Sequence, residues 1–480
     1  MVIVDLNDKS FFYDVMSLAG EFFPGERVGE KPLDHVESKK DLILKVIVGK
    51  NNDISVVSGN IAESEEAQGF ARREVKSAIK RALYRLLSKL TKKELPWGTL
   101  SGIRPVKLIS SYLESGIDTS SIEKILFDEY YISKEKAKKG LSIALCEREL
   151  LERADLKRGY SLYIGIPFCP SVCLYCSFSS YPVKRYLDLT SKYVEALKKE
   201  IEEISEILKD HPLDTIYMGG GTPTALSENE LSEIFDSLSK HFPLSKVKEI
   251  TVEAGRPDSI TNEKLSVLKA HDVSRISINP QTMNDRTLLL IGRAHSAQTV
   301  RKAFEMARAV GFSNINCDII AGLPGESEED YHHTAEEIRK LSPESLTVHC
   351  LARKRAARLT EEWDAYKDSS FNVTESALDI FEDASVSMGM KPYYLYRQKN
   401  IAGNLENTGY ALKGRSCLYN VLIMEEKQPI IALGAGGVSK LLTEGKPKRL
   451  PNPKDPLLYI EGIGDIIRRK KEELEKTGWL

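Results

Sequence analysis

No stretch of this 480-residue chain approaches the roughly 18 uninterrupted apolar residues that a membrane-crossing helix needs. The opening Met-Val-Ile-Val-Asp-Leu-Asn-Asp lacks a basic start leading into an apolar core, so no signal peptide is expected. Charge of one sign is missing too. Its 68 Lys and Arg against 70 Asp and Glu leave a net charge of −2, so no global field draws nucleic acid, and any acidic partner must be met by local clusters. Cysteine is sparse at seven, without the paired spacings of a secretory disulfide framework, which fits a reducing cytosol. Low-complexity tracts and long repeats are absent. These absences predict a soluble, cytoplasmic protein with neither nucleic acid nor membrane as partner. What is present, 41% hydrophobic and 29% charged residues, suffices for two or three domains and a sizeable core.

Three of the seven cysteines fall within eight residues, Cys169-Pro-Ser-Val-Cys173-Leu-Tyr-Cys176, at the end of the apolar run Tyr163-Ile-Gly-Ile-Pro-Phe168. The C-x3-C-x2-C spacing lets one loop reach three corners of a [4Fe–4S] cube and leaves the fourth iron open to an external ligand. A zinc site would need a fourth Cys or His at compatible spacing, and a thioredoxin-like pair would use C-x2-C alone. Neither accounts for Cys169. Cys146, Cys317, Cys350 and Cys417 sit singly in apolar runs and read as buried structural residues.

From Leu162 onward the sequence alternates strands and helices for nearly 200 residues. The strand candidates are Ser161–Phe168, Asp214–Gly219, Glu249–Glu253, Arg275–Asn279, Asn314–Ile320 and Ser345–Cys350. Between them lie amphipathic stretches such as Ser191–Lys209, Glu228–His241, Gln298–Val310 and Glu328–Leu341. Six such units predict a parallel α/β sheet curled into an incomplete (β/α)6 TIM-like barrel. The cysteine loop, Gly219-Gly-Gly-Thr-Pro223, Glu253, Gln281 and Asp318 would then share the rim formed by strand C-termini. Residues 1–150 differ in texture: a hairpin over Asp41–Val48 and Asn52–Ser58, a basic helix from about Glu65 to Leu90, and two further helices after Pro105. The stripe Arg72, Arg73, Lys76, Lys80, Arg81, Arg85, Lys89 can be a nucleic-acid face or a solvated helix, and the interleaved Glu63, Glu65, Glu66 and Glu74 favour the second. The turn-rich segment Pro96–Pro105 suggests no mechanism.

The cysteine triplet resembles the radical S-adenosylmethionine (SAM) superfamily. Further strings sharpen this: Gly219-Gly-Gly-Thr-Pro-Thr224, Ser277-Ile-Asn-Pro-Gln281, Ile291-Gly-Arg293-Ala-His295 and Asp318-Ile-Ile-Ala-Gly-Leu-Pro324. In order and spacing they resemble the oxygen-independent coproporphyrinogen III dehydrogenase family, HemZ-type branch. The resemblance covers roughly residues 160–355 and, more weakly, the C-terminal region, and implies a radical SAM barrel over 151–360; the change of texture sets off an N-terminal α+β domain of unknown role over 1–150, and 361–480 is expected to form a C-terminal cap. It implies a [4Fe–4S] cluster on Cys169, Cys173 and Cys176 and two SAM molecules. Tyr163, Gly220, Glu253 and Ala352 would line the first, and Tyr175, Gly221, Thr222, Gln281, Arg293 and Asp318 the second. Carboxylates at 253 and 318 suit ribose hydroxyls, and Arg293 suits a carboxylate clamp. Helix capping, strand-end solvation and surface ion pairing are the alternatives for Glu253, Gln281, Arg293 and Asp318, and packing for Ala352. No catalytic side chain is assigned.

The expected chemistry is oxidative decarboxylation of coproporphyrinogen III to protoporphyrinogen IX, with electrons from a low-potential donor such as flavodoxin or ferredoxin. Two departures fall beside the cluster: Gly165 stands where better-known members carry His, and Phe178 where they carry a further Cys. A heme-binding chaperone and a radical methyl transfer that opens heme are the other functions the resemblance allows. The chaperone relatives resemble each other in a His-Asn-x-x-Tyr-Trp string, and this chain has none. For a tetrapyrrole with several propionates, Arg353–Arg358 and Tyr393–Lys399 supply cations and aromatics, and Gly434-Ala-Gly-Gly-Val-Ser439 a close-approach loop. A solvated helix and a packing strand explain the first two equally well.

Overall fold

The computed structural model describes residues 1–30, 41–102, 104–178, 180–352, 354, 356–362, 366, 375–398, 405–443 and 447–477. Among these, no helix is long and apolar enough to cross a membrane. The chain falls into two compact units, one of residues 1–144 with 395–406, the other of 145–394 with 407–480.

In the first unit a five-stranded sheet runs in the order Val28–Gly29, Val2–Leu6, Leu42–Val48, Asp53–Ser58, Ile61–Glu66. Its hairpin matches the expected one, because Leu42–Val48 turns Leu44 and Val46 into the core and alternate residues outward, and Asn52 accepts the positive φ of the turn. The basic helix, however, spans Arg72–Thr91, seven residues later than expected at its start. Ile61–Glu66 is instead an edge strand, antiparallel to Asp53–Ser58. Period two places Glu63 and Glu65 on one face, where they pair with Arg85 and with Lys89 and Arg81 respectively. Arg72 and Lys76 pair with Asp14, and buried Lys80 donates to the Thr99 carbonyl and the Ser101 hydroxyl. The stripe is thus largely neutralised within its own unit. Three helices, Val106–Glu114, Thr119–Asp128 and Lys134–Leu151, follow Pro105 where two were expected. The Pro96–Pro105 turns bury Trp97, whose Nε1 donates to Glu406 at 2.9 Å.

The second unit carries the expected six parallel strands: β1 (Tyr160–Ile166), β2 (Leu213–Gly220), β3 (Glu249–Val252), β4 (Arg275–Ser277), β5 (Ile315–Ala321) and β6 (Ser345–Cys350). The helices between them include Leu187–Leu208, Glu228–His241, Ala297–Val310 and Glu328–Leu341, each burying one apolar stripe. Ser227, Ser296 and Ser327 cap the last three. The barrel stays open. Beyond β6 the sheet continues into β8 (Asn407–Ala411), antiparallel to it, and then β7 (Lys391–Tyr396). Beyond β1 it continues into β9 (Ile430–Leu433), parallel to it, then β10 (Val438–Leu441) and β11 (Lys448–Pro451). The C-terminal strands thus extend the barrel sheet itself. The helix expected over 370–389 spans Glu375–Ser387, and residues 370–374 lie outside those described.

Candidate functional site

β1 is buried along nearly its whole length and delivers the chain to Pro167 at the rim. There Phe168–Cys169 pairs with Tyr181–Pro182, closing the cysteine segment into a loop. The loop is pinned at its centre. Leu174 N–H donates to the Ile291 carbonyl (3.0 Å), Leu359 N–H donates to the Leu174 carbonyl (2.9 Å), and the Ser171 hydroxyl donates to the Gly292 carbonyl (3.0 Å). Leu174 also packs among Leu288, Ile291, Ile320, Leu323 and Leu359. Cys169 and Cys173 are buried, Cys176 half-buried. Burial pushes the Cys169 thiol up to about 12 and raises Cys176 as well. Deprotonated sulfurs here therefore require a cationic centre between them, which is what ligation supplies. Among the described residues no three His, Cys, Asp or Glu side chains converge on a point that would hold a single ion.

The three glycines ending β2 permit close backbone approach. A Cβ on Gly221 would lie 2.4 Å from the Phe168 carbonyl oxygen and 3.1 Å from Cys169 Sγ, and Gly220 adopts φ +113°. Gly221 N–H donates to the Ile166 carbonyl and Thr222 N–H to that of Phe168, at 2.7 and 2.8 Å. These N–H groups are spent on the cysteine strand, so the tri-glycine is not an open phosphate cradle. Thr222 is fully buried, its hydroxyl donating to the Glu253 carbonyl at 3.2 Å.

Glu253 stands just past β3. Tyr217 donates its hydroxyl to Glu253 Oε1 at 2.5 Å, and the rings of Tyr163, Tyr217 and Tyr419 are stacked beside it. Burial raises the Glu253 carboxyl to about 7, against the lowering effect of the Tyr217 hydrogen bond. Gln281, past β4, holds a non-glycine φ of +70°, the sort of strain that marks functional sites. Its N–H donates to the Asp318 carbonyl (3.0 Å) and its carbonyl accepts from Ile320 N–H (2.9 Å), which joins the two neighbouring strand ends. Asp318 accepts from Asn316 Nδ2 at 2.7 Å and lies 3.7 Å from His349 Nε2. Burial would raise its carboxyl, but His349 and Asn316 bring it below the ordinary value. Arg293 is buried with Nη1 donating to the Asn279 carbonyl, and Tyr175 and Cys173 lie close enough to outweigh the burial that would lower its basicity.

The structure brings expected site residues together in three groups, Tyr163, Gly220 and Glu253; Cys173, Tyr175 and Arg293; Gln281 and Asp318, with Tyr163 and Asp318 standing mid-strand and Arg293 in the loop after the helix Asp285–Leu290. Ala352 is buried just past β6 and offers a methyl and backbone alone. Two buried polar atoms here, Gln281 Oε1 and Arg293 Nε, have no hydrogen-bond partner among the described residues, which suits a polar ligand carrying donors and acceptors. With the three thiols and the glycine approach, the residues fit a cluster and a SAM-like cofactor. Sequence reasoning missed Tyr217, Tyr419, Arg256 and Asp258. For Arg256 the available signal was a cation in the turn Glu253-Ala-Gly-Arg256-Pro, at the same rim position as Glu253.

Of the expected propionate-binding cations, Arg353, Arg355 and Lys399 lie outside the described residues. Arg358 pairs with Glu362 on the surface. Arg397 is buried, donating to the Leu100 carbonyl and pairing with Glu21 at 3.2 Å, so the packing alternative holds there. Gly434 in the expected close-approach loop comes close to the β1 backbone: a Cβ there would lie 2.3 Å from the Gly165 carbonyl oxygen.

The profile of the radical SAM superfamily matches residues 163–338. The oxygen-independent coproporphyrinogen-III oxidase-like protein HemZ of Bacillus subtilis (strain 168) is 38% identical over 465 residues, covering 92% of this chain and 91% of its own. The chain belongs to the radical SAM superfamily, in its HemZ-like family. Membership implies a [4Fe–4S] cluster and SAM. The heme chaperone HemW of the same organism is 38% identical over 192 residues, 40% of this chain and 50% of its own. Among solved structures, coproporphyrinogen III oxidase (HemN) from Escherichia coli, a radical SAM enzyme, aligns with a TM-score of 0.53 at 21% identity over 67% of this chain and 72% of that one, a likeness of fold.

Proposed function

We propose that this protein is an oxygen-independent oxidoreductase that converts two propionate side chains of coproporphyrinogen III to vinyl groups, giving protoporphyrinogen IX, each side chain losing carbon dioxide, one hydrogen atom taken up by SAM chemistry and one electron passed to an external acceptor. The observation that carries this reading is the pinned Cys169, Cys173, Cys176 loop facing the glycine end of β2 and the Glu253, Gln281, Asp318 row, in a chain related over nine-tenths of its length to an oxidase-like protein. When bound, the cluster and SAM supply a carbon radical able to remove hydrogen from an unactivated carbon. The chain's own residues hold and orient. Cys169, Cys173 and Cys176 would ligate three irons; Glu253, fixed by Tyr217, would accept from ribose hydroxyls of one SAM; Gln281, Asp318 and Arg293 would hold a second. Burial at the rim excludes water that would quench a radical, and fixing the reacting carbon lowers the entropic part of the barrier. The cap role of 361–480, cytoplasmic location, and a flavodoxin or ferredoxin as donor belong to the same proposal.

A second reading, heme delivery, is favoured by the similarity to a heme chaperone over the barrel region. One experiment separates the readings: anaerobic reconstitution, then incubation with SAM, dithionite and coproporphyrinogen III, following 5′-deoxyadenosine and tetrapyrrole mass together. Loss of two carbon dioxides with cleavage of SAM is expected, and Cys173→Ala should abolish both. In a parallel incubation with heme in place of coproporphyrinogen III, stoichiometric tight heme with no SAM cleavage points to the chaperone, and a product carrying an added methyl to heme opening; either refutes decarboxylation.

A further inference from the structure

The three cysteine sulfurs have unlike surroundings. Arg256, 3% exposed and just past β3, directs Nη1 at Cys173 Sγ (3.7 Å) and the Ser171 carbonyl (3.0 Å), while Nη2 donates to the Ser171 hydroxyl (3.1 Å). The same guanidinium grips both oxygens of Asp258, at 3.0 and 2.9 Å. Beyond Asp258 stands His295, its side chain fully buried and its Nδ1 3.7 Å from Oδ1. Arg293 faces Cys173 as well. Cys176, by contrast, meets the hydroxyl of Ser180 at 3.6 Å. One corner of the triplet is thus served by buried cations and another by a neutral group.

A charged N–H aimed at a ligating sulfur stabilises negative charge placed there, and hydrogen bonds to sulfur together with local net charge set the potential of iron–sulfur centres. Arg256 is too deeply buried to reach a substrate. We infer that Arg256 is a positioning residue that eases one-electron reduction of the bound cluster through its N–H···S contact with Cys173, and that Asp258 restrains this effect by pairing the guanidinium charge. The inference rests on the cluster assignment above. The couple is a single electron, drawn from a low-potential donor, and no protein bond forms or breaks.

The test is a redox titration of the full, anaerobically reconstituted chain with dithionite, monitored by electron paramagnetic resonance, for the wild type, Arg256→Gln and Asp258→Asn, with iron and sulfide measured in each. Arg256→Gln is expected to shift the one-electron equilibrium about tenfold toward the oxidised form, about 59 mV. Asp258→Asn, which leaves the arginine unpaired, is expected to shift it the other way. Opposite signs are what a merely structural role would not give. Unmoved potentials in loaded protein, or two shifts of one sign, overturn the inference. If Arg256→Gln loads no cluster, Asp258→Asn decides alone, and failure of both to load assigns the pair to loop support and also overturns it. A wild type without iron would instead sink the cluster assignment.

Discussion

Replacing Lys470 by Met should loosen the turn that backs the cysteine strand. Glu200 and Lys470 form an ion pair with side chains 0% and 1% exposed. Glu200 also accepts from Gly434 N–H (2.8 Å), the Tyr459 hydroxyl (2.6 Å) and Asn452 Nδ2 (3.1 Å). Lys470 donates in addition to the Ala432 carbonyl. Through Gly434 and Tyr193, whose hydroxyl donates to the Gly165 carbonyl and accepts from Ala435 N–H, this hub clamps the end of β9 to β1. Methionine matches the lysine stem in length but leaves a buried carboxylate without its counter-charge, a loss of about 3–5 kcal/mol. At about 1.4 kcal/mol per factor of ten, the amides of Gly434 and Ala435 should exchange at least about 100-fold faster. Hydrogen-exchange mass spectrometry of the full apoprotein reads this directly. Adding Glu200→Gln, which removes the stranded charge and keeps an oxygen to accept from Gly434 N–H or the Tyr459 hydroxyl, should recover part of the loss. Acceleration below about tenfold would refute the claim that this pair holds the turn.

Gly221→Ala should cut iron and sulfide bound on reconstitution several-fold, because its Cβ meets the Phe168 carbonyl at 2.4 Å and Cys169 Sγ at 3.1 Å; wild-type metal content would refute the close-approach argument. Glu253 has a folded value of about 7, above the ordinary 4.5, so the folded state holds its proton more tightly and loses stability as pH rises from about 4.5 through about 7. Glu253→Gln should therefore gain stability relative to wild type across that window in denaturant unfolding, and parallel pH curves would contradict it. Glu406, buried against Lys136 and Trp97, is lowered by those partners to about 2 in spite of burial. Its contribution is present above about 4.5 and lost as pH falls toward about 2. Glu406→Gln should cost the N-terminal unit about 3 kcal/mol at pH 7 and flatten its acid unfolding limb, which circular dichroism can check.

The strand and helix boundaries of the barrel were legible because each element carries one periodicity and one clear stop. Glu228–His241 and Glu328–Leu341 begin at Ser-led capping boxes and end where the apolar stripe ends. The edge strand Ile61–Glu66 was not legible, since acidic residues at alternate positions next to a basic run read equally well as the first turns of a charged helix. What decided it was a partner, the basic face of Arg72–Thr91. Arg397 misled for a related reason: a cation among tyrosines looks like a ligand site until the carboxylate of Glu21, nearly 400 residues away in sequence, is seen against it.

By itself the order of residues determined the cofactor chemistry: thiol spacing within one loop is local geometry, and glycines and acids at successive strand ends follow from a parallel βα repeat that can close in one hand. Tertiary structure alone decided which groups modulate those sulfurs. Arg256 and Arg293 come from different strand ends and meet at Cys173, and β9, some 270 residues after β1, comes back to flank it. Contacts of that range depend on how the whole sheet curls and packs, which no local pattern encodes.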